Sequence, residues 1–176
     1  MELLIMRHAK SDWSGNHPDR ERPLNRRGEG DARAMGEWLA GQRLTIGEVL
    51  SSSACRARQT AEAVAAAVGL APARIRFRDD LYLAGRPALV RILDEALRQA
   101  GAGLLLVGHN PGLDELVAWL AAEPLQRTPQ GKLMTTAALA AFRIPAGQPL
   151  RSGIGTLRFL VRPRELRKAG WPDAST

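Results

Sequence analysis

Apolar residues in this chain gather in short runs that stop abruptly at polar ones. Leu3-Leu4-Ile5-Met6 runs into Arg7-His8, Val49-Leu50 into Ser51-Ser52-Ser53, and Leu104-Leu105-Leu106-Val107 into Gly108-His109-Asn110-Pro111-Gly112. Runs this short with no polar face predict strands buried on both sides, as in a parallel sheet. Between them the apolar residues recur at helical spacing. Ala32, Met35 and Leu39 predict a helix over about 26–42, and Ala57, Ala61, Val64 and Val68 one over 56–68. Leu89, Ile92, Leu93, Ala96 and Leu97 predict one over 87–100, opened by Pro87. Asn110-Pro111 reads as the cap and first turn of a fourth, with Leu113, Leu116, Val117 and Leu120 facing inward. Ile75–Arg78, Ala137–Ile144 and Thr156–Val161 complete the strands, the last two separated by a Pro- and Gly-rich turn over 145–155. This alternation predicts an α/β fold, a three-layer α/β/α sandwich with a mostly parallel central sheet. The domain is expected over 1–162, followed by a polar tail over 163–176.

Polar side chains at the exit of a buried strand cannot stay in the core unpaired. The carboxyl end of a parallel strand is also where open α/β sheets bind ligands. With the three strands as parallel neighbours, His8 and Arg7, His109, and Arg56 or Arg58 converge on one crevice. Residues 11–23, broken by Gly15, Pro18 and Pro23, form a long loop leaving the first exit. Such a loop is placed to lie over the crevice and contribute Asp19 or Arg22. The helix start beside His109 favours an anion there. Of the three histidines, His17 falls in a polar loop and is expected to be exposed.

Composition narrows the picture modestly. The 176 residues suit one domain with a full-sized core. The net charge of +7 admits an anionic partner or substrate. Nucleic acid is not expected, because the arginines are scattered rather than clustered and alanine is abundant. Cys55 is the single cysteine, so no internal disulfide can form and a reducing, cytoplasmic setting is expected. No apolar stretch is long enough to span a bilayer, and the short first run, followed at once by Arg7, does not read as a signal peptide.

Three chemistries compete for the crevice. A metal would find His8, His109 and Asp12 or Asp19, but Arg7 and Arg56 oppose a dication. A serine hydrolase would need a Gly-x-Ser-x-Gly elbow, which Ser51-Ser52-Ser53 lacks. A phosphoryl group fits best. Guanidinium forks match its oxygens, and each desolvated, charge-assisted bond contributes on the order of 1.5–3 kcal/mol. A neutral imidazole can attack phosphorus in line, while the second, if protonated, adds a cation at the same oxygens.

At these residues the chain resembles the histidine phosphatase superfamily (phosphoglycerate mutase-like), and within it the small bacterial phosphohistidine phosphatases of the SixA type. The resemblance rests on Met6-Arg7-His8-Ala9-Lys10-Ser11, Arg22-Pro23-Leu24, Ser51-Ser52 with Arg56-Ala57-Arg58-Gln59-Thr60-Ala61, and Val107-Gly108-His109-Asn110-Pro111-Gly112-Leu113, in this order. It implies His8 as the nucleophile that becomes phosphorylated, Arg7 and Arg56 as phosphoryl ligands, and His109 as a phosphoryl ligand that stabilises the transition state. Arg22 is implied as a further phosphate contact, and Asn110 is counted with the substrate-binding residues. Arg58, one position off the motif, is expected to be a solvated side chain. No metal or cofactor is implied.

Two departures bear on the substrate. The usual Arg-His-Gly is Arg-His-Ala here. Many superfamily members also carry an acidic proton donor on an inserted segment near the third strand. Here the chain between Phe77 and Pro87 is short, with Asp79 and Asp80 as its only acids. Either is a possible donor, or an ordinary turn residue. A phosphomonoester leaves as an alkoxide and needs a strong general acid, whereas phosphohistidine leaves through nitrogen. The reading is therefore phosphohistidine on a protein, such as a histidine phosphotransfer domain of a signalling relay. The alternatives are a phosphomonoesterase for small esters and a non-catalytic phosphate-binding module.

Overall fold

The computed structural model describes residues 1–171. Six strands form one mixed sheet: β1 (Glu2–Arg7), β2 (Ile46–Ser52), β3 (Ile75–Arg78), β4 (Gly103–Gly108), β5 (Leu139–Arg143) and β6 (Thr156–Val161). Their order is β3-β2-β4-β1-β5-β6. β1, β4, β2 and β3 run parallel, and β5 pairs antiparallel with both β1 and β6. Helices α1 (Arg26–Ala40), α2 (Cys55–Ala67), α3 (Arg86–Gln99), α4 (Gly112–Leu120) and α5 (Pro163–Lys168) cover the two faces.

Strand periodicity divides the core in two. Leu3 and Ile5 of β1, with Leu104 and Leu106 of β4, face α3 and α4. Leu4 and Met6, with Leu105 and Val107, face α1 and α2. All eight are fully buried, and each contributes roughly 1.5–3 kcal/mol relative to exposure. Burial on both faces is why these strands read as continuous apolar runs. It also holds α4, whose nine residues are too few to be stable as an isolated helix.

Two expectations change at the ends of the chain's last elements. The polar tail expected from 163 onward includes α5, whose Leu166 is buried against the α1–α2 side of the sheet. A single apolar residue in one and a half turns leaves no periodic signal, so the helix is invisible to pattern. Residues 172–176 of that expected tail lie outside the described residues. The strand expected over 137–144 begins only at Leu139. Ala137 has a φ of 57°, and the segment before β5 turns aside to bond the end of β1, through Ala137 N–H to the His8 carbonyl and Arg7 N–H to the Ala138 carbonyl.

Candidate active site

Register brings the histidines together. Arg7 of β1 is level with Gly108 of β4, so His8 and His109, each the next residue, leave the sheet side by side. Their ring centroids are 5.1 Å apart. Ser51 of β2 is level with Val107, so Ser52 emerges beside them and α2 begins three residues later, carrying Arg56. These exits open into a cleft of about 320 Å³ lined by Arg7, His8, Arg22, Arg56, His109 and Asn110, together with Lys10, Ser11, Trp13, Asp19, Leu83 and Thr136.

His8 is fixed at both ring nitrogens. Nδ1 lies 2.8 Å from the Ala9 carbonyl oxygen, which can only accept, so Nδ1 carries the proton. Nε2 is then a lone pair, and it accepts from Arg56 Nε at 3.3 Å. Burial first, then the nearby His109, Arg56 and Arg7, push the His8 pKa down to about 3. The ring is neutral at neutral pH, with its lone-pair nitrogen on the Arg56 side.

His109 is held differently. Its Nε2 lies 2.8 Å from Ser52 Oγ, while Nδ1 is buried without a protein partner. Burial, then Arg56 and Arg7, lower its pKa to about 4. A bound dianion would reverse that balance and favour the imidazolium. Arg7 Nε, Arg22 Nε and Asn110 Oδ1 are also buried and unpaired. Buried donors in this state cost free energy unless a ligand supplies an acceptor.

The arginines reach the cleft by separate supports. Arg7 donates to the Met134 carbonyl at 3.0 Å. Arg56 is 3% exposed; its turn of α2 is tied to the end of β1 through Thr60, whose Oγ1 accepts from Ala9 N–H and donates to the Arg56 carbonyl. Arg56 also donates to the Asp19 carboxylate at 2.9 Å. The other oxygen of Asp19 pairs with Arg22, and Tyr82 donates its hydroxyl to Asp19 at 2.6 Å. Tyr82, then Arg56 and Arg22, hold the Asp19 pKa at about 2. One loop carboxylate therefore clamps two of the cleft's arginines. Close backbone packing seats this loop: a side chain at Gly28 would collide with the Lys10 carbonyl just past His8.

Comparison with known proteins agrees with this geometry. The model of the histidine phosphatase superfamily (branch 1) matches residues 3–82. Phosphohistidine phosphatase SixA of Escherichia coli (strain K12) is 33% identical over 172 residues, covering 96% of this chain and 98% of that protein. The chain belongs to the histidine phosphatase superfamily. A solved structure described as the protein histidine phosphatase SixA complexed with tungstate superposes with a TM-score of 0.77 at 29% identity, covering 94% of this chain and 99% of that one. This histidine phosphatase is a hydrolase of the phosphoglycerate mutase-like fold.

Of the residues expected to act, His8, His109, Arg7, Arg56, Arg22 and Asn110 all line the cleft of this phosphatase. Asn110 does not cap α4 as expected. Its amide donates to Asp114 and to the Met134 carbonyl, each at 2.9 Å, and the capping position is Pro111. Asp79 and Asp80 do not line the cleft. Asp79, with its side chain 81% exposed, pairs with Arg20; Asp80 pairs with Arg78 at 2.6 Å. Arg58 is exposed, its guanidinium 4.4 Å above the Phe77 ring. Tyr82 and Asp114 support the site without a motif that sets them apart in sequence, while Ser52 and Thr60 lie within the quoted segments, which gave them no role of their own. Among the described residues, no group of three or more His, Cys, Asp or Glu is arranged to hold a metal ion. None of the helices among them is long and apolar enough to cross a membrane.

Proposed function

We propose that this phosphatase removes the phosphoryl group from phosphohistidine on a protein, through a phosphorylated His8. The observation that carries the reading is the state of His8: neutral, with Nδ1 holding its proton on the Ala9 carbonyl and Nε2 presented as a lone pair beside Arg56. Nε2 attacks phosphorus, the bond from phosphorus to the substrate's imidazole nitrogen breaks, and that imidazole leaves with the electron pair. Arg7, Arg56 and His109 bind the phosphoryl oxygens and offset the charge that spreads over them. Arg22 adds a further contact. Water then attacks the phosphorus on His8, the bond from phosphorus to His8 Nε2 breaks with its electron pair returning to Nε2, and inorganic phosphate leaves, the proton lost by the water passing to a phosphate oxygen or to solvent.

The acid inventory supports nitrogen as the leaving atom. Asp19 is the single carboxylate lining the cleft among the described residues, and at a pKa of about 2 it carries no proton to give at neutral pH. An alkoxide leaving group would need one. A phosphohistidine whose second ring nitrogen is protonated leaves as neutral imidazole and does not. The named phosphohistidine phosphatase relative, similar over nearly its whole length, supports the same substrate class. A histidine phosphotransfer domain in a signalling relay fits as the protein partner.

The test compares phosphate release from a phosphohistidine-bearing protein and from an aryl phosphate, for wild type and His8→Ala, with and without a chelator. Preferential release from the protein, lost in His8→Ala and indifferent to chelator, is expected. An acid-labile phosphoenzyme should be trapped on wild type alone. Efficient ester cleavage without release from phosphohistidine moves the substrate to small esters. Tight phosphate binding with no turnover leaves only a binding module.

A further inference from the structure

Trp13 and Leu83 are the two large hydrophobic side chains exposed among the described residues, at 70% and 53%. They come from different segments, one on the loop after β1 and one on the turn before α3, and both line the cleft that holds His8 and His109. A phosphoryl group does not call for apolar surface. We propose that Trp13 and Leu83 form the docking rim for the protein that carries the phosphohistidine, and that this partner presents an acidic surface with apolar side chains beside the modified residue. The inference rests on the phosphohistidine reading above.

Both residues are held in their exposed positions. The Trp13 ring lies 3.6 Å from the guanidinium carbon of Arg22, and Arg22 is itself buried and clamped by Asp19. One face of the indole is thus fixed on a cation while much of the side chain remains in solvent. Leu83 has a φ of 51°, a left-handed conformation that disfavours any side chain and leucine in particular. Neither burial nor backbone preference accounts for a leucine there, and strain of this kind is characteristic of functional positions. Its turn is braced on both sides. Tyr82 bonds Asp19, and Gly112 of α4 packs so closely on the Ala84 carbonyl that a side chain would collide with it.

Charge selects the partner's character. Among the described residues the cleft is lined by Arg7, Lys10, Arg22 and Arg56 against the single carboxylate of Asp19, within a chain of net charge +7. Such a field draws in an acidic surface and disfavours a basic one. A preorganised Trp on an Arg, ringed by cations, is the composition of an interface hot spot.

The test uses the full chain with Trp13→Ala, Leu83→Gly and the double variant. The two substrates are an acidic histidine phosphotransfer domain phosphorylated on its histidine, and phosphoramidate, which carries the same nitrogen–phosphorus bond without a protein. The ratio of kcat/KM for protein over phosphoramidate should fall at least about tenfold in each single variant, chiefly through KM, and further in the double. Added salt should raise KM for the protein more steeply than for phosphoramidate, whose charge contacts are confined to the cleft itself. Leu83→Gly suits its backbone, so its unfolding temperature should not fall and misfolding cannot account for the loss. An unchanged ratio overturns the proposal, as does an equal fall on both substrates. Sedimentation showing a dimer that the variants dissolve, with turnover unaffected, makes a second copy the occupant and overturns it too. A wild type inactive on both nitrogen-linked substrates but active on an aryl phosphate overturns the phosphohistidine reading itself; active wild type with unaffected variants overturns the rim alone.

Discussion

Arg56 Nε donates to His8 Nε2 at 3.3 Å, so a guanidinium holds the lone pair of the proposed nucleophile before any substrate arrives. In the proposed reaction the same side chain supplies a fork for the phosphoryl oxygens. Arg56→Lys keeps a charge but loses both the Nε donor and the fork. Its kcat should fall by roughly 10²–10³-fold, the usual loss for one transition-state donor, measured as turnover of phosphohistidine protein at saturating substrate. Near-wild-type kcat would mean that charge alone suffices.

Asp19 occupies the arginines that an incoming anion must use. Asp19→Asn removes the competing charge while keeping the shape. Inhibition by inorganic phosphate should tighten by about 5–10-fold, equivalent to roughly 1 kcal/mol. A weaker inhibition constant would instead make Asp19 an orienting group for Arg56 and Arg22.

Acid should loosen this fold. His8 and His109 have pKa values of about 3 and about 4 against an ordinary 6.5, so between those limits the unfolded chain binds more protons than the folded one. Stability is complete above pH 6.5 and falls as pH drops toward 4 and then 3, by several kcal/mol in all (on the order of 1.4 kcal/mol per unit for each group). Denaturant unfolding at pH 7, 6 and 5 measures this slope. His8→Asn should flatten it by removing one titrating ring.

Gly28→Ala should couple stability to activity. The added methyl meets the Lys10 carbonyl, two residues past His8. Overpacking of this kind costs about 1–3 kcal/mol, and displacement of the 8–10 segment should lower kcat as well. Thermal unfolding and turnover, measured on the same preparation, check both. Retention of both would mean that α1 shifts away without moving the loop.

Asp79→Asn and Asp80→Asn should each leave turnover within about twofold of wild type, because both carboxylates lie on surface ion pairs worth little. A large loss on an aryl phosphate would return the proton donor to that turn.

Much of the site is legible in the chain because its chemistry sits at boundaries. An apolar run ending at Arg7-His8, and another at His109, mark where buried strands stop and side chains must leave the core. Helical and strand periodicity likewise carry the layer order, since burial on both faces imposes it directly on residue type. What depends on register and long-range contact is decided only in three dimensions. Of three consecutive serines, Ser51 and Ser52 end β2 and Ser53 follows it, and the pairing of β2 with β4 selects Ser52 as the partner of His109. Asp19 reaches Arg56 across 37 positions and Tyr82 across 63. Sequence offered Asp19 as a loop residue able to reach the crevice and as a metal ligand in a rejected reading, and it offered Asp79 and Asp80 equally as acids. Asn110 reads as a cap until Asp114 and the Met134 carbonyl are placed beside it. Helix α5 escapes notice because one leucine has no period. The sequence alone determined which residues are costly to bury and therefore which must find partners. Only the tertiary structure decided which partners those are, because hydrogen bonds act over about 3 Å and folding, not chain order, sets those distances.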